Sequence, residues 1–169
     1  MISQANRSAR QSKQSSSAGF SLIELLIVIA IILIIAAIAL PNYMRSRMLA
    51  NEAATIQNMR NICTAGVVYT TAYGIGFSAS LANLGGTGAP SPINAGLIDS
   101  ILATGVKSGY QFTYVGTIPD ALGNFQSFTL NADPVTPGTS GRRNFYTDQT
   151  GVIRQNLAGV AAGPGDTPI

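Results

Sequence analysis

The 169-residue chain has no histidine, only one cysteine, Cys63, and few charges, 10% of its residues. Without histidine, the common nucleophile–base pairs and the histidine-containing metal sites are excluded. A lone cysteine closes no disulfide within the chain, so Cys63 reads as a small side chain packed in a core. The acids are scattered. Asp120, Asp133 and Asp148 lack the D-x-[DN]-x-[DN]-G spacing of a calcium loop and read as turn residues. Gly85-Gly86-Thr87-Gly88 has no following Lys-Ser/Thr and reads as flexible surface rather than a phosphate cradle. No catalytic residue, cofactor site or metal site is expected, and the chain is not read as an enzyme.

What the sequence does have is a long apolar run. From Phe20 to Leu40 it holds 21 residues with a single charge, Glu24. As a helix this run is about 31 Å long, enough to cross a bilayer once. A carboxylate near the hydrocarbon costs about 2.5–3.5 kcal/mol, so Glu24 calls for a cationic partner. A cut between Gly19 and Phe20 would create one, an α-amino group one helical turn from Glu24. It is placed to pair within the chain or with Glu24 of a neighbouring chain.

The residues GFSLIELLIVIAIILIIAAIALP, Gly19 to Pro41, resemble the N-terminal signature of type IV prepilins and of the pseudopilins of type II secretion, with similarity fading after about Arg47. The resemblance implies a leader, residues 1–19, removed after Gly19 on the cytoplasmic side by a prepilin peptidase that also N-methylates Phe20. It implies Phe20 and Glu24 as the paired assembly residues, and self-association into a filament built on an inner-membrane assembly platform. The precursor would sit in a bacterial inner membrane with its N-terminus in the cytoplasm, and the mature form in an extracellular or periplasmic filament. A pseudopilin of a type II secretion system is the alternative machine. From a different class, a monomeric single-pass anchor carrying a binding domain needs neither Glu24 nor the Gly-Phe junction. A secretory signal cut after Ala39 would release a chain beginning at Leu40.

The formal charge of +3 arises before the apolar run: without Arg7, Arg10 and Lys13, seven basic residues face seven acids. Those three charges favour a cytoplasmic leader by the positive-inside rule. A formally neutral mature chain makes nucleic acid an unlikely partner. Arg142-Arg143 beside Phe145-Tyr146, the only compact basic and aromatic cluster, reads as a solvated strand edge or a contact to an acid of a neighbouring subunit.

The helix need not end at Pro41, where the missing N–H predicts a kink. Leu49, Ala53, Ile56, Met59, Cys63 and Val67 then mark an apolar face opposite Asn51, Asn58 and Asn61, interrupted by Glu52 and Arg60. With stops at Gly74 and Gly76, one helix runs from about Ser21 to Tyr73, roughly 80 Å. Behind it come a Gly/Pro/Ser-rich stretch over 74–92, a short helix over 94–104, and strands carrying Tyr110, Phe112 and Tyr114 and then Phe128, Leu130 and Ala132. A hairpin follows around Gln149-Thr150-Gly151, and a loose tail over 159–169. The expected fold is α+β: a long N-terminal helix, apolar and then amphipathic, packed on a small antiparallel sheet. The divisions are a leader 1–19, a core-helix segment 20–40, an amphipathic continuation 41–76 and a head 77–169.

Overall fold

The computed structural model describes residues 19–157 and 159–169, so the leader expected over 1–19 lies, up to residue 18, outside the described residues. Helix α1 runs Leu22–Tyr73, and two short helices follow, α2 at Leu81–Leu84 and α3 at Ser100–Ala103. Six strands complete the fold: β1 Val106–Lys107, β2 Tyr110–Pro119, β3 Phe125–Pro134, β4 Asn144–Asp148, β5 Arg154–Asn156 and β6 Thr167–Pro168. They form one antiparallel meander in chain order. The chain divides into two units, Met1–Leu40 and Pro41–Ile169.

Within the second unit, period-two alternation in β2 buries Tyr110, Phe112 and Tyr114 on one face. The register sets Phe112 opposite Ala132 and Tyr114 opposite Leu130, so both strands present their apolar residues to the same core. Tyr114 stacks on Phe128 at 5.0 Å and Phe77 meets the same ring edge-on at 5.1 Å. Met59, Ile62, Ala65 and Tyr69 of α1 supply the other side of this core. The helix stops where Gly74 adopts φ +67° and donates to the carbonyl of Thr70, the left-handed cap that glycine enters without steric cost.

The amphipathic face is displaced from the expected one. Leu49, Ala53 and Val67 are exposed, whereas Glu52, Thr55, Asn58, Met59, Ile62, Gly66 and Tyr69 are buried. Hydrophobic periodicity locates the stripe by apolar residues, but the buried face also carries Gly66 and the polar Glu52, Thr55 and Asn58, of which Glu52 and Thr55 are hydrogen-bonded. Gly66 lies beside the rings of Phe77 and Phe128.

Three other expectations are corrected. The helix over 94–104 shrinks to α3, because Asp99 caps it by accepting from the amide of Leu102 (3.0 Å) while 95–98 pair with the α2 end through backbone bonds. The Gly/Pro/Ser-rich stretch contains α2, and Gly85 is buried against Ala103. The tail is not loose: Thr167 and Pro168 add β6 to the sheet. Asn131 Nδ2 donates to the carbonyl of Ala162 (2.8 Å), and Arg154 Nη1 donates to that of Asp166 (3.0 Å).

Candidate assembly site

In the first unit, Gly19 and Phe20 precede the helix and are exposed, Phe20 to 86%. Ser21 is the residue before α1, and its carbonyl accepts the first helical bond, from the amide of Leu25 (3.3 Å). Glu24 folds back so that Oε2 accepts from the amide of Ser21 at 2.8 Å, the glutamate half of a capping box. The carboxylate thus lies against the start of the helix, where the macrodipole favours negative charge. The nitrogen that a cut after Gly19 would free belongs to Phe20, the next residue back. From Leu22 to Leu40 the side chains bury almost nothing: Leu25, Ile29, Ile32 and Ile35 are all at least half exposed. Among the described residues α1 is the one helix long and apolar enough to cross a membrane, and none of its apolar window is buried. Pro41 lies inside α1, not at its end.

Residues 14–40 match the model of the prokaryotic N-terminal methylation motif. That motif is the signature of type IV pilins and pseudopilins. No curated protein and no solved structure matches the chain. The methylation motif spans the Gly19-Phe20 junction, Glu24 and the whole apolar run, and stops one residue before Pro41. Its acid and its unburied apolar surface are therefore parts of one feature.

A second polar centre lies outside the motif, in the head. Glu52 is 4% exposed, and its Oε1 accepts from the amides of Arg142 (2.8 Å) and Arg143 (3.3 Å) while Oε2 accepts from Arg143 Nε (2.7 Å). Arg143 also donates through Nη1 to Gln155 (2.9 Å) and stands over the Phe145 ring. Tyr110 completes the knot by donating its hydroxyl to the carbonyl of Arg143 (2.9 Å). Burial pushes the Tyr110 hydroxyl well above the ordinary tyrosine range, and the nearby Glu52 charge adds to this. The expected partner for Arg143, an acid of a neighbouring subunit, is thus supplied by this chain. Phe145 and Tyr146 are buried and offer no stacking surface. Glu52 was legible only as a break in a greasy face. The available signal was its spacing, since with Thr55, Met59 and Ile62 it keeps a three- and four-residue step.

Cys63 faces Thr147 (Sγ to Oγ1 3.9 Å), and burial pushes its thiol up. Asp120 and Asp148 accept from turn amides, those of Leu122 and Asn124 and that of Thr150. Asp133 sits at a strand end and accepts from Asn144 Nδ2 (2.5 Å), so it is not a turn residue. Among the described residues the acids and the cysteine form no cluster able to hold a metal.

Proposed function

We propose that this chain is a structural subunit of a type IV pilus-like filament, made as a single-pass inner-membrane precursor, cut by a prepilin peptidase between Gly19 and Phe20 and N-methylated at Phe20. The observation that carries this reading is the coincidence of the methylation motif with a helix segment that buries almost nothing within its own chain. Surface of that kind needs lipid before assembly and neighbouring helices after it. Each Leu or Ile side chain gains about 1.5–3 kcal/mol on full burial, so the apolar run supplies the affinity of a bundle.

Glu24 supplies its register. Once the chain is cut, the Phe20 ammonium, methylated or not, is the cation nearest the carboxylate. A pair about 4 Å apart attracts by roughly 4 kcal/mol at an effective dielectric of 20, comparable to the cost of placing the acid there. The pair therefore adds little net stability, but a misplaced neighbour leaves a charge unpaired in an apolar bundle. In the uncut chain, Glu24 Oε2 accepts from the Ser21 amide. Pro41, by removing the donor to the Ala37 carbonyl, is where we place a kink. The domain divisions at residues 19, 40 and 76 follow the same logic of leader, bundle helix, helix continuation and head.

The motif is common to pilins and to type II secretion pseudopilins, and a deletion strain separates the two machines. Loss of sheared surface filaments with exported enzymes intact supports the pilus; loss of exported enzymes with pili intact supports the secretion pseudopilus. Glu24→Ala separates both from a monomeric anchored domain. We expect the variant to insert and be cut but to yield no filament, whereas an anchored monomer tolerates it and keeps its full N-terminus.

A further inference from the structure

The head carries a groove at one end and a projecting tip at the other, and they are complementary. The groove, about 730 Å³, is lined by Met44, Met48 and Leu49 of α1 and by Leu157, with Arg45, Arg142 and the paired Glu52 and Arg143 also along it. Arg143 is committed to Glu52, but neither Arg45 nor Arg142 makes an ion pair among the described residues. An apolar floor with two uncompensated cations calls for an apolar, anionic occupant.

The tip is the turn joining β2 to β3. Leu122 is 87% exposed, and Ile118, also exposed, is held at φ +53°, a left-handed conformation that a β-branched residue rarely adopts. Between them Asp120 accepts from the amides of Leu122 and Asn124 and from Asn124 Nδ2 and Gln126 Nε2, all neutral donors. Those bonds hold its carboxyl below the usual carboxylate range, and no cation pairs with it among the described residues. A strained backbone that keeps an apolar side chain in water beside a carboxylate with no cation has the character of a contact surface.

Tip and groove lie at opposite ends of the head. Tyr110, the first residue of β2, bonds to Arg143 at the groove end, whereas Phe77, just beyond the end of α1, pairs with Phe125 at the tip end. The ten residues of β2 separate them by roughly 30 Å. The tip cannot reach its own groove, and it can reach that of another copy.

We propose that the β2–β3 tip of one copy seats in this groove on the next, Ile118 and Leu122 on the apolar floor and Asp120 facing Arg45 and Arg142. The contact rests on the filament reading and gives it a link between the heads of successive copies. It is heterologous, with different surfaces on the two copies, and so propagates instead of closing as a dimer.

The test uses the full chain with Cys63→Ala, carrying Leu49→Cys and Leu122→Cys together, oxidised in sheared filaments and resolved without reductant. The two cysteines are too far apart to join within a chain, and either one alone links at most two chains. A ladder of trimers and higher multimers is the expected result. Dimers only, or unlinked chains from intact filaments, would overturn the docking contact and leave the filament reading standing. Absence of both filaments and a Phe20 N-terminus overturns both. Adding Arg45→Glu and Arg142→Glu, both on exposed side chains, should cut the ladder at least tenfold; an undiminished ladder overturns the charge pairing.

Discussion

Two glutamates divide the work of this chain at the scale of the residue. Glu24 is exposed and accepts from one amide, whereas Glu52 is buried and holds two amides and a guanidinium. Glu52→Ala removes the acceptor from all three donors. Arg143 is partly exposed, so water takes up part of the loss, and the cost falls in the range for a hydrogen bond to a charged group, about 1.5–3 kcal/mol, below that of a fully buried pair. Thermal unfolding of the E52A chain, followed by the loss of the head's β-sheet signal, checks this. Glu24 was legible in the sequence because a charge in an apolar run has no bland explanation. Glu52 was not, because its partners lie some ninety residues away and helical periodicity is blind to them.

At the scale of the element, the meander was legible because β2 and β3 alternate with period two and their aromatics name the buried face. The face of α1 was less so: its buried stripe includes Glu52, Thr55, Asn58 and Gly66, which carry no hydrophobic signal. The tail hid its order for a similar reason, since it is held by backbone pairing and Asp166 rather than by apolar residues. Close packing gives a sharp prediction at Gly141. A Cβ there would collide with the hydroxyl and ring of Tyr110, whose rotamer is fixed by its bond to Arg143. Gly141→Ala should destabilise the head by about 1–3 kcal/mol, the usual cost of overpacking, and Gly151→Ala, with open space at its Cβ, should act only through its positive φ. Denaturant midpoints of the two variants compare the effects.

For the whole molecule, the pH response follows from the buried tyrosines. Burial pushes Tyr114 up to about 12, and Tyr110 is raised further. A folded-state pKa above the unfolded value means this stability is fully present below the unfolded value of about 10. It is lost as pH rises through the folded values. Alkaline unfolding of the head should therefore begin above about pH 10, and phenolate absorbance from these two rings should appear with the loss of the β-sheet signal. Titration of Tyr110 and Tyr114 at pH 10 with the fold intact would contradict the burial described here.

The same scale holds the central claim, that an apolar helix unpartnered in its own chain is a bundle element prepared by processing at Gly19-Phe20. The mass of the N-terminal peptide of the mature protein tests it most directly. The account predicts a peptide beginning at Phe20 and carrying one added methyl group on its nitrogen. A chain that still begins at Met1, or one that begins at Leu40, would contradict it.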